Sequence, residues 1–165
     1  MRAGIVCVNL EDAIALKDKA HALEQAFAHL PTADSPAQVE RIIRLSCLRT
    51  TEGMMDVLAL LQAPEPIAAV MLPKVKGPEE VRSLSDLFTE YKLSTRLHAI
   101  IETNEALEAA YEIGRSSDRV ESLFFGGVGM AADLRCKSTW MALQYARSRI
   151  VHAAAASGLD VIDVP

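Results

Sequence analysis

Six short apolar runs recur along the chain, most separated by a stretch long enough for a helix: Gly4–Leu10, Ile42–Cys47, Ile67–Leu72, Leu97–Ile101, Val120–Phe125 and Leu159–Val164. Most are nearly continuous in Val, Ile, Leu, Ala and Phe instead of alternating with polar residues. Strands buried on both faces read this way, which predicts a parallel sheet with helices outside it. Between the runs, Leu16, Ala20, Leu23, Phe27 and Leu30 form one apolar stripe at helical spacing, and Val81, Leu84, Leu87, Phe88 and Tyr91 form another over Pro78–Tyr91. Pro78 suits a first helical position, where its missing N–H costs nothing. Leu107, Ala110 and Tyr111 share a face after a cap at Thr103 or Asn104. A last helix begins near Ser138, buries Leu143, Ala146, Ile150 and Ala154, and stops near Gly158. Met54 and Met55 are expected to pack in the core.

An α/β chain of this pattern folds as an open doubly wound sheet or as a (β/α) barrel. A complete barrel takes about 250 residues and eight units, and these 165 residues hold about six. The alternatives are thus an incomplete barrel and an open sheet. Hydrophobic residues make up 50% of the chain and no linker or low-complexity segment divides it, so residues 1–165 form one domain.

Charge and cysteine content narrow the function classes. The formal net charge is −5, and Lys and Arg nowhere cluster, which argues against nucleic acid as a partner. The longest uncharged run, Ser122–Ala132, is shorter than the ~18 apolar residues of a membrane span. Glu11 interrupts the first run before an export-signal core could form, and Cys7, Cys47 and Cys136 lie far apart. The expectation is a cytoplasmic chain with reduced thiols.

Both architectures place the active site beyond the carboxyl ends of the strands. There the sequence offers Glu11 and Asp12 after the first run, and Arg44, Ser46 and Arg49 in and after the second. Lys74 follows Pro73 after the third, Glu102 and Thr103 follow the fourth, and Gly126–Gly129 follows the fifth. The carboxylates could cap helices or bind a ligand. Arg44, inside an apolar run, needs a carboxylate, a phosphate or several carbonyls, from the protein or from a ligand. The glycine-rich stretch matches neither a dinucleotide fingerprint nor a P-loop and is expected to be a tight turn. No pair among His21, His29, His98 and His152 has metal-binding spacing, and His98 reads as a satisfied core residue.

The ordered segments Val8-Asn9-Leu10-Glu11-Asp12-Ala13, Ile43-Arg44-Leu45-Ser46, Leu72-Pro73-Lys74-Val75, Ile100-Ile101-Glu102-Thr103, Phe125-Gly126-Gly127, Ala132-Asp133-Leu134, Tyr145-Ala146-Arg147-Ser148 and Gly158-Leu159-Asp160-Val161-Ile162-Asp163 resemble the citrate lyase β-subunit-like proteins. These belong to the HpcH/HpaI aldolase/citrate lyase superfamily. The resemblance implies an incomplete (β/α)8 TIM barrel of the phosphoenolpyruvate-binding type holding strands 2 to 7, commonly in a trimer. It implies a carbon–carbon lyase acting on a carboxylated acyl-CoA, such as citryl-CoA or malyl-CoA, or on a 2-oxo acid, with Mg2+ as cofactor. A metal and a positioned cation suit this chemistry because bond cleavage leaves negative charge on an enolate.

Carried over by position, Glu102 matches the metal-binding Glu and Arg44 the Arg that grips the substrate carboxylate. Glu11 and Asp12 match the acidic pair near the site, and Lys74 lies in the Pro-Lys motif at its rim. The family's metal-binding Asp, four residues after the Phe of Phe-Gly-x-x-Asp, is Gly129 here, and Asp133 is the acidic residue left to replace it. Asn9 stands where Asp is usual and Ser46 where Asn is usual. These departures imply a second reading: a catalytically degenerate homologue that binds a ligand or a partner subunit.

Overall fold

The structure is a computed structural model that describes residues 5–29, 40–64 and 67–163. Strands and helices alternate as β1 (Ile5–Asn9), α1 (Lys19–His29, after a 3-10 turn at Leu16–Asp18), β2 (Glu40–Arg44), α2 (Thr51–Leu61), β3 (Ala69–Leu72) and α3 (Pro78–Glu90). They continue as β4 (Arg96–Ile101), α4 (Asn104–Glu108), α5 (Ala110–Gly114), β5 (Val120–Phe125), α6 (Gly127–Leu134), α7 (Trp140–Ser157) and β6 (Asp160–Asp163). Gly4, Leu30 and Val164, included in the sequence reading, lie outside the described residues.

All neighbouring strands pair in parallel, in the order β1-β2-β3-β4-β5-β6. That order decides between the two architectures left open. A doubly wound sheet reverses direction at a switch point, whereas here each strand is added beside its predecessor, as in a barrel wall. The result is a curled half-barrel with helices outside, an incomplete α/β barrel.

Side-chain alternation sorts the strands into two faces. Ile43, Leu45, Val70, Leu72, Leu97, Ile101, Leu123 and Phe125 belong to the main core, with Val81, Leu84, Phe88, Ile113, Met130, Leu143 and Ile150 from the helices. The opposite face holds a smaller cluster of Ile42, Ala69, Met71 and Ile100, with Phe124 against it. His98 shares that face, buried, with Nδ1 2.7 Å from Ser122 Oγ and its ring edge-on to Phe124. It is the satisfied core histidine expected.

Helix ends follow local chemistry. Thr50, Thr103 and Thr139 accept hydrogen bonds from the N–H groups of Gly53, Ala106 and Ala142, capping α2, α4 and α7. Pro78 opens α3, and Gly158 closes α7 with φ 71°.

Several expectations need correction. Leu16 lies in the 3-10 turn and is exposed, as is Ala20, so the first stripe reduces to Leu23 and Phe27 packed against the core. Leu107 and Tyr111 fall in separate helices, α4 and α5, and Tyr111 is exposed. The second strand begins at Glu40 and ends at Arg44, because Ser46 N turns to donate to Asp56 Oδ2 at 2.6 Å. Met54 and Met55 are about half exposed, on the outer side of α2, whose inner side is filled by Val57 and Leu60. Tyr91, at the end of α3, is likewise half exposed. Finally, Gly126–Gly129 is not a tight turn: Gly126 is the N-cap of α6 and Gly127 its first residue.

Candidate active site at the strand ends

Glu11, Arg44, Lys74 and Glu102 follow or end four successive strands, and the parallel order brings them together at one end of the half-barrel. Arg44 Nη2 lies 2.8 Å from Glu11 Oε2 and 3.7 Å from Glu102 Oε1. Lys74 Nζ lies 2.6 Å from Glu11 Oε1 and 3.0 Å from each oxygen of Asp12. The side chain of Glu11 is only 3% exposed whereas that of Asp12 is 73% exposed, so the pair spans the cluster from floor to rim.

Backbone geometry locks Glu102. Lys74 has φ 53°, a left-handed conformation that side-chain-bearing residues avoid. In that conformation its N–H donates to Glu102 Oε1 at 2.8 Å while its ammonium meets Glu11 and Asp12. Beneath the other oxygen are two glycines. A Cβ at Gly126 would stand 2.8 Å from Glu102 Oε2, and one at Gly129 would stand 2.6 Å from it. The carboxylate of Glu102 thus occupies space that any side chain at these positions would claim.

Protonation reflects these contacts. Burial pushes the Glu102 carboxyl up, against the opposing pull of the Lys74 N–H and Arg44. The Lys74 hydrogen bond holds Asp12 below the usual carboxylate range. Burial pulls Lys74 down, but Glu11 and Asp12 outweigh it and raise the ammonium overall.

The structure therefore joins Glu11, Asp12, Arg44, Lys74 and Glu102 in one network. It gives Asp133 another partner: Oδ2 accepts from Asn104 N at 2.6 Å, at the start of α4. Three further residues support the network, of which Lys19 and Asp56 carry no sequence signal. Lys19 Nζ donates to Leu10 O at 2.5 Å, Glu11 O at 3.0 Å and Ser46 Oγ at 3.1 Å, pinning the loop that carries Glu11. Asn9 Oδ1 accepts from Glu11 N at 2.9 Å, and Asp56 holds Ser46 N. Lys19 and Asp56 sit in the helices that follow the first two strands, and nothing in their spacing marks which way these side chains turn.

The model of the HpcH/HpaI aldolase/citrate lyase family matches residues 1–164. The chain belongs to this family. It is 28% identical to the citrate lyase subunit beta of Leuconostoc mesenteroides subsp. cremoris over 98% of its own length and 55% of that protein's. The chain thus spans about half the length of the curated relatives it matches. Among solved structures, RipC of Yersinia pestis superposes with a TM-score of 0.88 at 31% identity, covering 99% of this chain and 70% of RipC. The citrate lyase beta subunit of M. tuberculosis, in complex with oxaloacetate and magnesium, gives 0.77 at 25% identity, covering 96% of this chain and 67% of that one.

The residues of this chain do not fit a magnesium ion of that kind. Glu102 Oε1 is already bound by the Lys74 N–H, and both Glu11 oxygens face cations. Gly129 brings no donor, and the Asp133 carboxylate is engaged by Asn104. Among the described residues no three His, Cys, Asp or Glu side chains form a group that could hold a metal. Mg2+ needs near-octahedral oxygen geometry, and here the strongest charges facing Glu11 and Glu102 are a guanidinium and an ammonium.

Proposed function

We propose that this chain carries the substrate-gripping centre of an aldolase-type carbon–carbon lyase acting on a carboxylated acyl-CoA, such as citryl-CoA or malyl-CoA, or on a 2-oxo acid. The observation that carries the reading is the convergence of Arg44, Lys74, Glu11 and Glu102 from four strand ends. The strand-end face is where barrels bind their substrates.

In this reading Arg44 grips the substrate carboxylate with two parallel hydrogen bonds. Lys74 is a second cation at the rim, available to an oxygen that gains negative charge as the bond breaks. Glu102, fixed by the Lys74 N–H and the glycine cradle, holds Arg44 in position from one side, and buried Glu11 does so from the other. Asp12 balances Lys74 until a ligand enters.

A homo-oligomer, such as a trimer, and a cytoplasmic setting belong to the same proposal. Among the described residues β1 and β6 each pair on one side only, which supports a role for further strands or another chain at these edges. The test is cleavage of citryl-CoA and malyl-CoA by the purified protein, followed as release of the shorter thioester. Turnover by the wild type that falls at least about a hundredfold in Arg44→Met supports the reading. No turnover from either thioester overturns it and favours the second reading, a degenerate homologue that binds a ligand or partner, for which the lost carboxylate at Gly129 is the specific argument.

A further inference from the structure

The mismatch between this donor set and a divalent cation has a chemical counterpart: cations of the protein stand against the carboxylates. Lys74 is built into that position. Its left-handed backbone, at φ 53°, turns one residue in two directions, the N–H onto Glu102 Oε1 and the ammonium onto Glu11 and Asp12. Arg44 lies between Glu11 and Glu102. Three carboxylates thus share two cations, and they differ in how easily they can leave. Glu11 and Glu102 are buried, with side chains 3% and 8% exposed, while Asp12 is 73% exposed and can return to water with little loss.

Resting on the proposed reading of the site, we infer that Arg44 and Lys74 together bind a small dicarboxylate or 2-oxo acid without a divalent cation, the ligand displacing Asp12 from Lys74. Arg44 takes one carboxylate of the ligand. Lys74 takes the second anionic or carbonyl oxygen, supplying as a point charge the attraction that a metal would otherwise supply. Glu11 stays in place beneath both and keeps the cations from parting. Asp12 is then a built-in competitor, and removing its charge should help the ligand.

The probe is malonate, titrated calorimetrically into the full chain in EDTA and again in excess magnesium. The inference predicts binding in both, with dissociation constants within about twofold of each other. Lys74→Gly, which removes the charge and suits the left-handed backbone, should weaken binding at least about tenfold, or ~1.4 kcal/mol. Lys74→Asn, which also tolerates that backbone, should behave alike, and thermal melts confirm that both variants fold. Asp12→Asn should bind about threefold tighter. Binding only with magnesium, or unchanged binding in both Lys74 variants, overturns the inference and leaves the lyase reading standing. Binding in neither condition overturns the inference and the carboxylate-gripping role of Arg44 together.

Discussion

Replacing Gly129 by Ala sets two opposite effects against each other, and the structure says which should prevail. Gly129 lies inside α6, where Ala is favoured over Gly by up to about 1 kcal/mol of helix propensity. The added methyl, however, would stand 2.6 Å from Glu102 Oε2, 3.0 Å from its Cβ and 3.2 Å from its Cδ. The carboxylate must move, and moving it lengthens the 2.8 Å hydrogen bond from Lys74 N. A hydrogen bond to a charged group contributes about 1.5–3 kcal/mol. The net expectation is a loss of about 0.5–2 kcal/mol, seen as a melting temperature lowered by roughly 1–8 °C at ~2–4 °C per kcal/mol. In a Glu102→Ala background the carboxylate contacts are gone and only the 3.0 Å contact with Cβ remains, so the same Gly129→Ala change should cost less than in the wild type, or stabilise by up to about 1 kcal/mol once that contact relaxes. Urea denaturation of the four proteins of this cycle measures both. If Gly129→Ala stabilises the wild type as much as it stabilises the Glu102→Ala variant, the glycine cradle does not hold Glu102 as described.

Phe88 is fully buried in the main core, and Phe88→Ala should cost about 3–5 kcal/mol in urea denaturation. Gly158→Ala meets no neighbouring atom within 4 Å but must adopt φ 71°, so its cost should be that of the backbone alone, about 1–2 kcal/mol. Burial lowers the pKa of His98 below its ordinary 6.5, against the pull of Glu121 and Glu40. The folded state therefore binds the proton less readily than the unfolded chain. The stability that this contributes is complete above pH 6.5 and is lost as pH falls through the lower folded value. Melting temperature followed from pH 7.5 down to about 5 should thus decline less steeply in His98→Asn than in the wild type.

The inner strands and most helices are legible because burial and helical stripes leave direct marks in sequence: Val120–Phe125 is bounded as observed and α3 to within a residue, whereas β1 and β6 read as apolar runs yet are largely exposed at the sheet edges. The second strand was misplaced because Leu45 is apolar and buried yet lies beyond the strand, where the chain already turns toward Asp56. Met54 and Met55 misled because hydrophobicity does not say which side of α2 a residue occupies. Spacing could not distinguish a turn from a helix start at Gly126–Gly129, since glycine serves both. Within the site, the strand-end rule located Glu11, Asp12, Arg44, Lys74 and Glu102. Lys19 and Asp56 stayed hidden because their contacts are made across elements. The left-handed turn at Lys74 was equally invisible, because lysine carries no sequence mark of that conformation.

The most direct measurement is a crystal structure of the protein grown with oxaloacetate. The account predicts a ligand carboxylate paired with the Arg44 guanidinium at the carboxyl ends of the strands, between Lys74 and Glu102. A ligand seated elsewhere, such as in the cavity of about 410 Å3 lined by Val6, Val8, Ile14, Ala22 and Ala26, with Arg44 still bound to Glu11, would contradict it.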